Sequence, residues 1–140
     1  TSADYRLRGN CHYTLEDTEA SGEHLVCALL YAGAGSYIEF IIDLPTAGTY
    51  HLEGTIAMSG TCSVFVDDVK NDAAQADVGY PMKRICTLKP SRVLTDVSIG
   101  EIHFDQPGLK IIRFATEKKQ EVKFDRLRLV KQGKLIFQKR

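Results

Sequence analysis

The chain contains no tryptophan, has no net charge and lacks any long hydrophobic run. Its 140 residues include 18 Lys plus Arg and 18 Asp plus Glu, so the formal charge at pH 7 is zero. This balance argues against nucleic acid or an anionic membrane surface as a partner, because both attract basic proteins. No apolar stretch approaches the roughly 20 residues that span a bilayer, and the first residues show no signal-peptide pattern. We therefore expect one soluble domain without membrane insertion.

The four cysteines also exclude a familiar class of site. Cys11, Cys27, Cys62 and Cys86 form no CxxC pair and show no Cys/His spacing typical of a zinc centre. Their even number is compatible with two disulfides in an oxidising compartment, and buried free cysteines in strands are equally common. Both alternatives remain open from the sequence.

Short alternating segments dominate the chain. From Ile38 to Leu44 apolar side chains recur at every second position, as a strand with one buried face requires. Pro45 ends this strand, Ala47 and Gly48 supply a turn, and the alternation resumes at Tyr50. Further segments of this kind cover 62–66, 97–104, 109–114 and 122–129. This pattern predicts an all-β fold, an antiparallel β-sandwich.

Two stretches do not follow the alternation. The region from Asn71 to Arg92 is predicted to be a long irregular loop, with one helical turn over 72–77. The tail from Lys131 to Arg140 is either a last strand or a frayed end, since Leu135 and Phe137 need cover to be ordered.

The order of these segments resembles the galactose-binding-like β-sandwich, or jelly roll, of carbohydrate-binding modules, particularly families 6 and 35. The resemblance is carried by a strand that begins at Gly35 and ends in Pro45-Thr-Ala-Gly-Thr-Tyr50, the Pro-x-Ala-Gly-x-Tyr corner of those modules. Weaker matches are the opening strand at 4–9 and the later strands at 63–68, 106–112 and 124–129. The resemblance covers almost the whole chain, which we interpret as a single module over residues 1–140.

The resemblance implies a non-catalytic accessory module that binds a glycan or oligosaccharide reversibly. Such modules occur beside a catalytic domain, for example of a glycoside hydrolase, in secreted, periplasmic or cell-surface proteins, where they raise the effective substrate concentration. The chain departs from the family pattern, because no Trp is present in Pro90–Thr95 and Lys123 stands where an Asn is expected. An alternative is therefore a structural or protein-interaction sandwich that has lost sugar binding.

Four residues are candidates for ligand binding: Tyr31, Tyr80, Arg92 and Lys123. A sugar ring is apolar on its C–H faces and polar at its rim, so a tyrosine can stack on it while cations donate to hydroxyls or to an acidic sugar. Arg84 is a further possible donor. The alternative roles are structural: a hinge at Tyr31, an anchor for the loop at Tyr80, and solvated cations.

The family's structural calcium has little support in this sequence. The opening-strand carboxylates of relatives fall here at Thr1 and Ala3, which leaves Asp125 as the retained metal ligand. One carboxylate is a poor site for an ion that takes six to eight oxygens, so we expect no cofactor. The alternative role of Asp125 is an ion pair with Arg6 or Arg126.

The sequence contains few patterns typical of a catalytic site. The four histidines lie on separate segments, Ser98 has no nucleophile elbow around it, and no glycine-rich phosphate loop is present. A glycosidase requires two carboxylates across a cleft, which the sequence does not indicate. We expect no enzymatic activity.

Overall fold

A computed structural model describes residues 5–9, 12–18, 22–29, 36–68, 82–116, 120–131 and 134–139. In these ranges the chain forms β-strands, and none of them contains a helix long or apolar enough to cross a membrane. The strands are β1 (Tyr5–Gly9), β2 (His12–Thr18), β3 (Gly22–Leu29), β4 (Ser36–Leu44), β5 (Gly48–Met58), β6 (Cys62–Asp68), β7 (Lys83–Leu88), β8 (Ser91–Phe104), β9 (Gly108–Thr116), β10 (Gln120–Lys131) and β11 (Lys134–Lys139).

The strands form two antiparallel sheets, which confirms the predicted β-sandwich. The first sheet has the order β1-β4-β9-β6-β7, and the second has the order β2-β3-β10-β5-β8, with β11 paired to β10. Strand β10 pairs with β3 through its first half and with β11 through its second half, while β5 lies along its other side. It is therefore the central strand of the second sheet.

The core lies between the two sheets and is built from the alternate apolar positions that the sequence predicts. Phe40 and Phe114 from the first sheet meet Phe124 from the second, with ring centroids 4.8 to 5.9 Å apart and edge-on geometry. All three rings are fully buried. Each buried aromatic side chain of this size contributes about 2 kcal/mol through removal of apolar surface from water, so this cluster is the centre of the sandwich.

The corner between β4 and β5 is held by the tyrosine that follows it. The Tyr50 hydroxyl donates to the Thr46 carbonyl oxygen at 2.5 Å, and its ring is completely buried. Lys131 closes the corner from β10, because its Nζ donates to the Ala47 carbonyl oxygen at 2.6 Å and to Thr46 Oγ1 at 3.0 Å. Gly48 adopts φ 135°, a conformation that side chains rarely allow. The Pro-x-Ala-Gly-x-Tyr segment is thus a turn, held by hydrogen bonds, that connects β4 of the first sheet to β5 of the second.

The prediction of one irregular loop from Asn71 to Arg92 is wrong for its second half. Residues 83–88 form β7, which pairs with β6, and β8 begins at Ser91. The sequence hides β7 because it is an edge strand, in which exposed Lys83, Arg84 and Thr87 interrupt the apolar alternation. The predicted helical turn at 72–77 lies outside the described residues.

The tail is a strand, as one of the two predicted alternatives required. Phe137 on β11 is fully buried in the core, whereas Leu135 is 45% exposed. One of the two apolar side chains therefore has the cover that an ordered tail needs.

Candidate functional site

The outward face of the second sheet carries a row of polar side chains on its central strands. Because Leu52 and Ile56 of β5 point into the core, the alternation turns His51, Glu53 and Thr55 outward. Their neighbours across the sheet are also polar: the register pairs Glu53 with Arg128 and Ser98, and Thr55 with Arg126 and Asp96.

These side chains enclose a cavity of about 270 Å³, which we call the outer groove. Its lining residues are Glu53, Gly54, Thr55, Asp96, Val97, Ser98, Arg126 and Arg128. Guanidinium groups donate hydrogen bonds, carboxylates accept them, and hydroxyls do both. The outer groove therefore offers donors and acceptors within one open site.

A β-bulge places the two arginines of the outer groove. The register of β10 against β5 shifts between Phe124 and Arg126, and Asp125 is the extra residue. Phe124 and Leu127 are both fully buried, so the phase of the alternation changes at this point. Without the shift Arg126 would share the inward face of Phe124, because residues two apart on a regular strand point the same way. The bulge turns Arg126 outward, to the face that Lys123 and Arg128 occupy.

Most polar groups of the outer groove have partners. The Thr55 hydroxyl donates to Asp96 Oδ1 at 2.6 Å, and Arg128 Nη2 donates to Glu53 Oε1. Arg126 differs, because its Nε is buried and has no hydrogen-bond partner among the residues that the structure describes. A buried donor without a partner carries a desolvation penalty.

His51 and Ser98 form a pair beside the outer groove, with Nε2 and Oγ 3.0 Å apart. Glu53 Oε2 lies 3.9 Å from the same ring nitrogen. A hydrolytic triad requires its acid on the other ring nitrogen, where it orients the base. No carboxylate of the described residues contacts His51 Nδ1 within salt-bridge distance, so the pair lacks that orientation.

A second cavity, of about 190 Å³, brings two of the predicted ligand-binding residues together. Arg92 and Lys123 both line it, with Ala57, Met58, Ser59 and Glu121. Lys123 pairs with Ala57, and Arg126 pairs with Thr55, so the two cavities follow one another along β5 and β10. Arg84 is elsewhere, because β7 belongs to the first sheet.

Arg92 projects from an irregular segment of β8 that we call the finger, residues 91–95. The register of β8 against β5 shifts there, between the Ile56–Thr95 and Met58–Ser91 pairs. The Ser91 and Thr95 hydroxyls both donate to the Val93 carbonyl oxygen, at 3.0 and 2.9 Å, and lie 2.8 Å from each other. Val93 is 71% exposed at the tip of the finger.

Three predicted residues remain: Tyr31, Tyr80 and Asp125. Tyr31 and Tyr80 lie outside the described residues. Asp125 is only 6% exposed and lies at the bulge. Within the described ranges, no group of three or more His, Cys, Asp or Glu side chains is placed to hold a metal ion.

None of the residues that line the outer groove is predicted from the sequence as a ligand contact. A signal was present, since polar residues recur at every second position in His51-Leu-Glu-Gly-Thr55 and in Arg126-Leu-Arg128. That pattern is also typical of any solvated strand face, so it does not by itself identify a site.

Comparisons with known proteins support the fold. No protein family model matches the chain, and no curated protein sequence matches it. A xanthan lyase from Paenibacillus matches with a TM-score of 0.64 and 17% identity, over 90% of this chain and 12% of the lyase. A variant of a family 29 carbohydrate-binding module, CBM29-2, matches with a TM-score of 0.58 and 13% identity, over 94% of both chains. The module TmCBM61, in complex with β-1,4-galactotriose, matches with a TM-score of 0.54 and 12% identity, over 91% of this chain and 88% of the module.

Identities this low establish the fold and not the activity. The modules are of families 29 and 61, so assignment to family 6 or 35 stays a prediction. The chain has the β-sandwich fold found in carbohydrate-binding modules, as its resemblance to the galactose-binding-like sandwich implied.

Proposed function

We propose that this chain is a carbohydrate-binding module that holds a glycan reversibly in the outer groove. The proposal is based on the polar side chains that line the outer groove. They lie on a β-sandwich of the kind found in carbohydrate-binding modules. Vicinal sugar hydroxyls both donate and accept hydrogen bonds, and they match a surface on which arginines, carboxylates and hydroxyls alternate.

Binding would use existing polar groups with little rearrangement. Glu53 is held by Arg128 and Asp96 by Thr55, so these acceptors are already oriented before a ligand arrives. Preorganised side chains lose less conformational entropy on binding than mobile ones. The described residues that line the groove include no aromatic side chain. We therefore propose that Tyr31 and Tyr80 provide the aromatic rings that stack on the sugar.

The module is also proposed to act beside a catalytic domain in a longer secreted, periplasmic or cell-surface protein. The match to the xanthan lyase supports this part, because this chain corresponds to 12% of that enzyme. Holding a glycan close to a neighbouring active site raises its effective concentration without any chemistry in the module.

The test is titration of the purified domain against a broad glycan panel, with and without calcium, by isothermal calorimetry. Thr55→Val and Ser98→Ala should each weaken binding by about three- to tenfold, the value of one hydrogen bond. Ser63→Ala is the matched control, because Ser63 lies on the first sheet and contacts Thr87 instead.

Two outcomes would contradict this site. Binding that survives both groove substitutions and disappears in Tyr31→Ala or Tyr80→Ala would move the site to those tyrosines. If no glycan of the panel binds, the alternative of a protein-interaction sandwich is favoured. The exposed Val93 and Leu94 of the finger support that alternative.

A further inference from the structure

We propose that the outer groove and its neighbouring cavity select oligosaccharides that carry carboxylate groups, with Arg126 as the principal contact. This inference rests on the proposed function and specifies the class of sugar. It begins from the difference between the two arginines of the groove. Arg128 is ion-paired with Glu53, whereas the buried Nε of Arg126 has no acceptor in the described part of the chain.

The charges near Arg126 are arranged so that its cation stays available. Glu53 on the neighbouring strand is paired with Arg128. Asp96, two strands from Arg126, accepts from the Thr55 hydroxyl that lies between them in the register. Among the described residues no carboxylate lies within salt-bridge distance of Arg126, so the groove holds one guanidinium without an acidic partner.

Two further cations continue the same face. Lys123 occupies the next outward position of β10, opposite Ala57, and Arg92 reaches the same cavity from the finger. Since Ala57 and Thr55 are two residues apart on one strand, Lys123 and Arg126 are separated by about 7 Å along it. Glu121 is the acid of this cavity, so Arg92 and Lys123 leave it with a positive excess.

A carboxylate matches this arrangement better than a neutral hydroxyl. A guanidinium forms paired, charge-assisted hydrogen bonds to the two oxygens of one carboxylate, and a hydroxyl can satisfy only part of that fork. Arg92 is exposed and would add long-range attraction that salt screens. Arg126 is the group expected to decide selectivity, because it lines the groove without an acidic partner among the described residues, whereas Arg128 is paired with Glu53.

The experiment compares acidic glycans with their own neutral forms. Oligosaccharides of polygalacturonate, alginate and a glucuronate-containing glycan are titrated before and after chemical reduction of their carboxylates to alcohols, with β-1,4-galactotriose as a neutral reference and a sulfated galactan as a second anion. We expect at least one acidic form to bind tenfold or more tightly than its reduced form, and its affinity to fall when NaCl rises from 50 to 500 mM.

Substitutions then locate the selectivity. Arg126→Met should remove tenfold or more of the affinity for the acidic form and leave a reduced form within about threefold. Arg126→Lys keeps the positive charge and loses the paired hydrogen bonds of a guanidinium, so its affinity for the acidic form should lie between those of the parent and Arg126→Met. Arg84→Met, an exposed cation on the first sheet, is the matched control and should change neither. A melting temperature for each variant establishes that it is folded.

The outcomes separate the inference from the function that it rests on. Equal binding of acidic and reduced forms would leave a sugar-binding module and overturn the acidic selectivity. Preference for the sulfated galactan would overturn the assignment to carboxylates. Acid-dependent binding unaffected by Arg126→Met would overturn the role of Arg126. No binding to any glycan would overturn the proposed function itself.

Discussion

The outward face of the first sheet contains a buried ion pair whose contribution to folding can be worked out. Both Nε and Nη2 of Arg113 approach Glu39 Oε2, at 2.7 and 2.6 Å. Glu39 is fully buried, and the Arg113 guanidinium lies 4.3 Å from the centroid of the Tyr37 ring. Burial of this kind makes either charge expensive to keep when its partner is removed.

We expect Arg113→Met to destabilise the protein by about 3–5 kcal/mol, the usual cost of removing one partner from a buried ion pair. Methionine keeps much of the side-chain volume and its contact with Tyr37, so the loss would report the charge. With a urea m-value of about 2 kcal/mol/M for a domain of this size, the midpoint of unfolding should fall by about 2 M. Circular dichroism during urea titration measures this shift.

The double variant Glu39→Leu/Arg113→Met provides the decisive comparison. Replacing a whole buried pair with apolar residues is often close to neutral, so the double variant should be more stable than Arg113→Met by about 2 kcal/mol or more. A double variant as unstable as Arg113→Met would refute the reasoning, since packing rather than the lost charge pairing with Glu39 would then explain the loss. Arg84→Met, an exposed change, should stay within about 0.5 kcal/mol of the parent.

Two further predictions concern the corner and the cysteines. Tyr50→Phe removes the hydroxyl that donates to Thr46 and should cost about 1–2 kcal/mol, measured by urea unfolding; an unchanged midpoint would show that the corner does not need this bond. Burial raises the pKa of Cys62 from 9.0 to about 12, so at pH 8 iodoacetamide should label Cys86 well before Cys62, as peptide mass spectrometry would show. A thiol whose folded pKa exceeds its unfolded pKa stabilises the fold below pH 9 and loses that contribution towards pH 12. Cys62→Ala should therefore lose less stability than the parent between pH 9 and pH 11, and equal losses would contradict the shift.

Much of the fold could be predicted because a strand with one buried face has apolar residues at every second position of the sequence. The strand predicted from Ile38 to Leu44 is confirmed within β4, and residues 45–47 separate it from β5. Strands β2 and β3 were not identified individually, and β7 was hidden by polar edge residues. Edge strands tolerate such residues because only one side of each is hydrogen-bonded, so local pattern is a weaker guide there.

The candidate site was harder to predict, because its residues come from three strands that are distant in the chain. Glu53, Asp96 and Arg126 meet only after β5 is placed between β8 and β10. Strand order is a long-range property that period two does not report. Arg92 and Lys123 were identified by their chemistry, and the fold places them on one cavity although nothing local relates them.

Because of the bulge at Asp125, even a correct prediction of strand β10 would place the Arg126 side chain on the wrong face of the sheet. A regular strand from Val122 to Leu129 would give Phe124 and Arg126 the same face, and a buried arginine would then be an improbable neighbour for the phenylalanine cluster. One extra residue resolves the conflict, because Phe124 and Leu127 both reach the core while Arg126 turns to the groove. Bulges commonly re-aim side chains in this way beside functional sites. At the position that the family resemblance assigns to a metal ligand, the sheet of this chain has the bulge that turns the Arg126 side chain towards the outer groove.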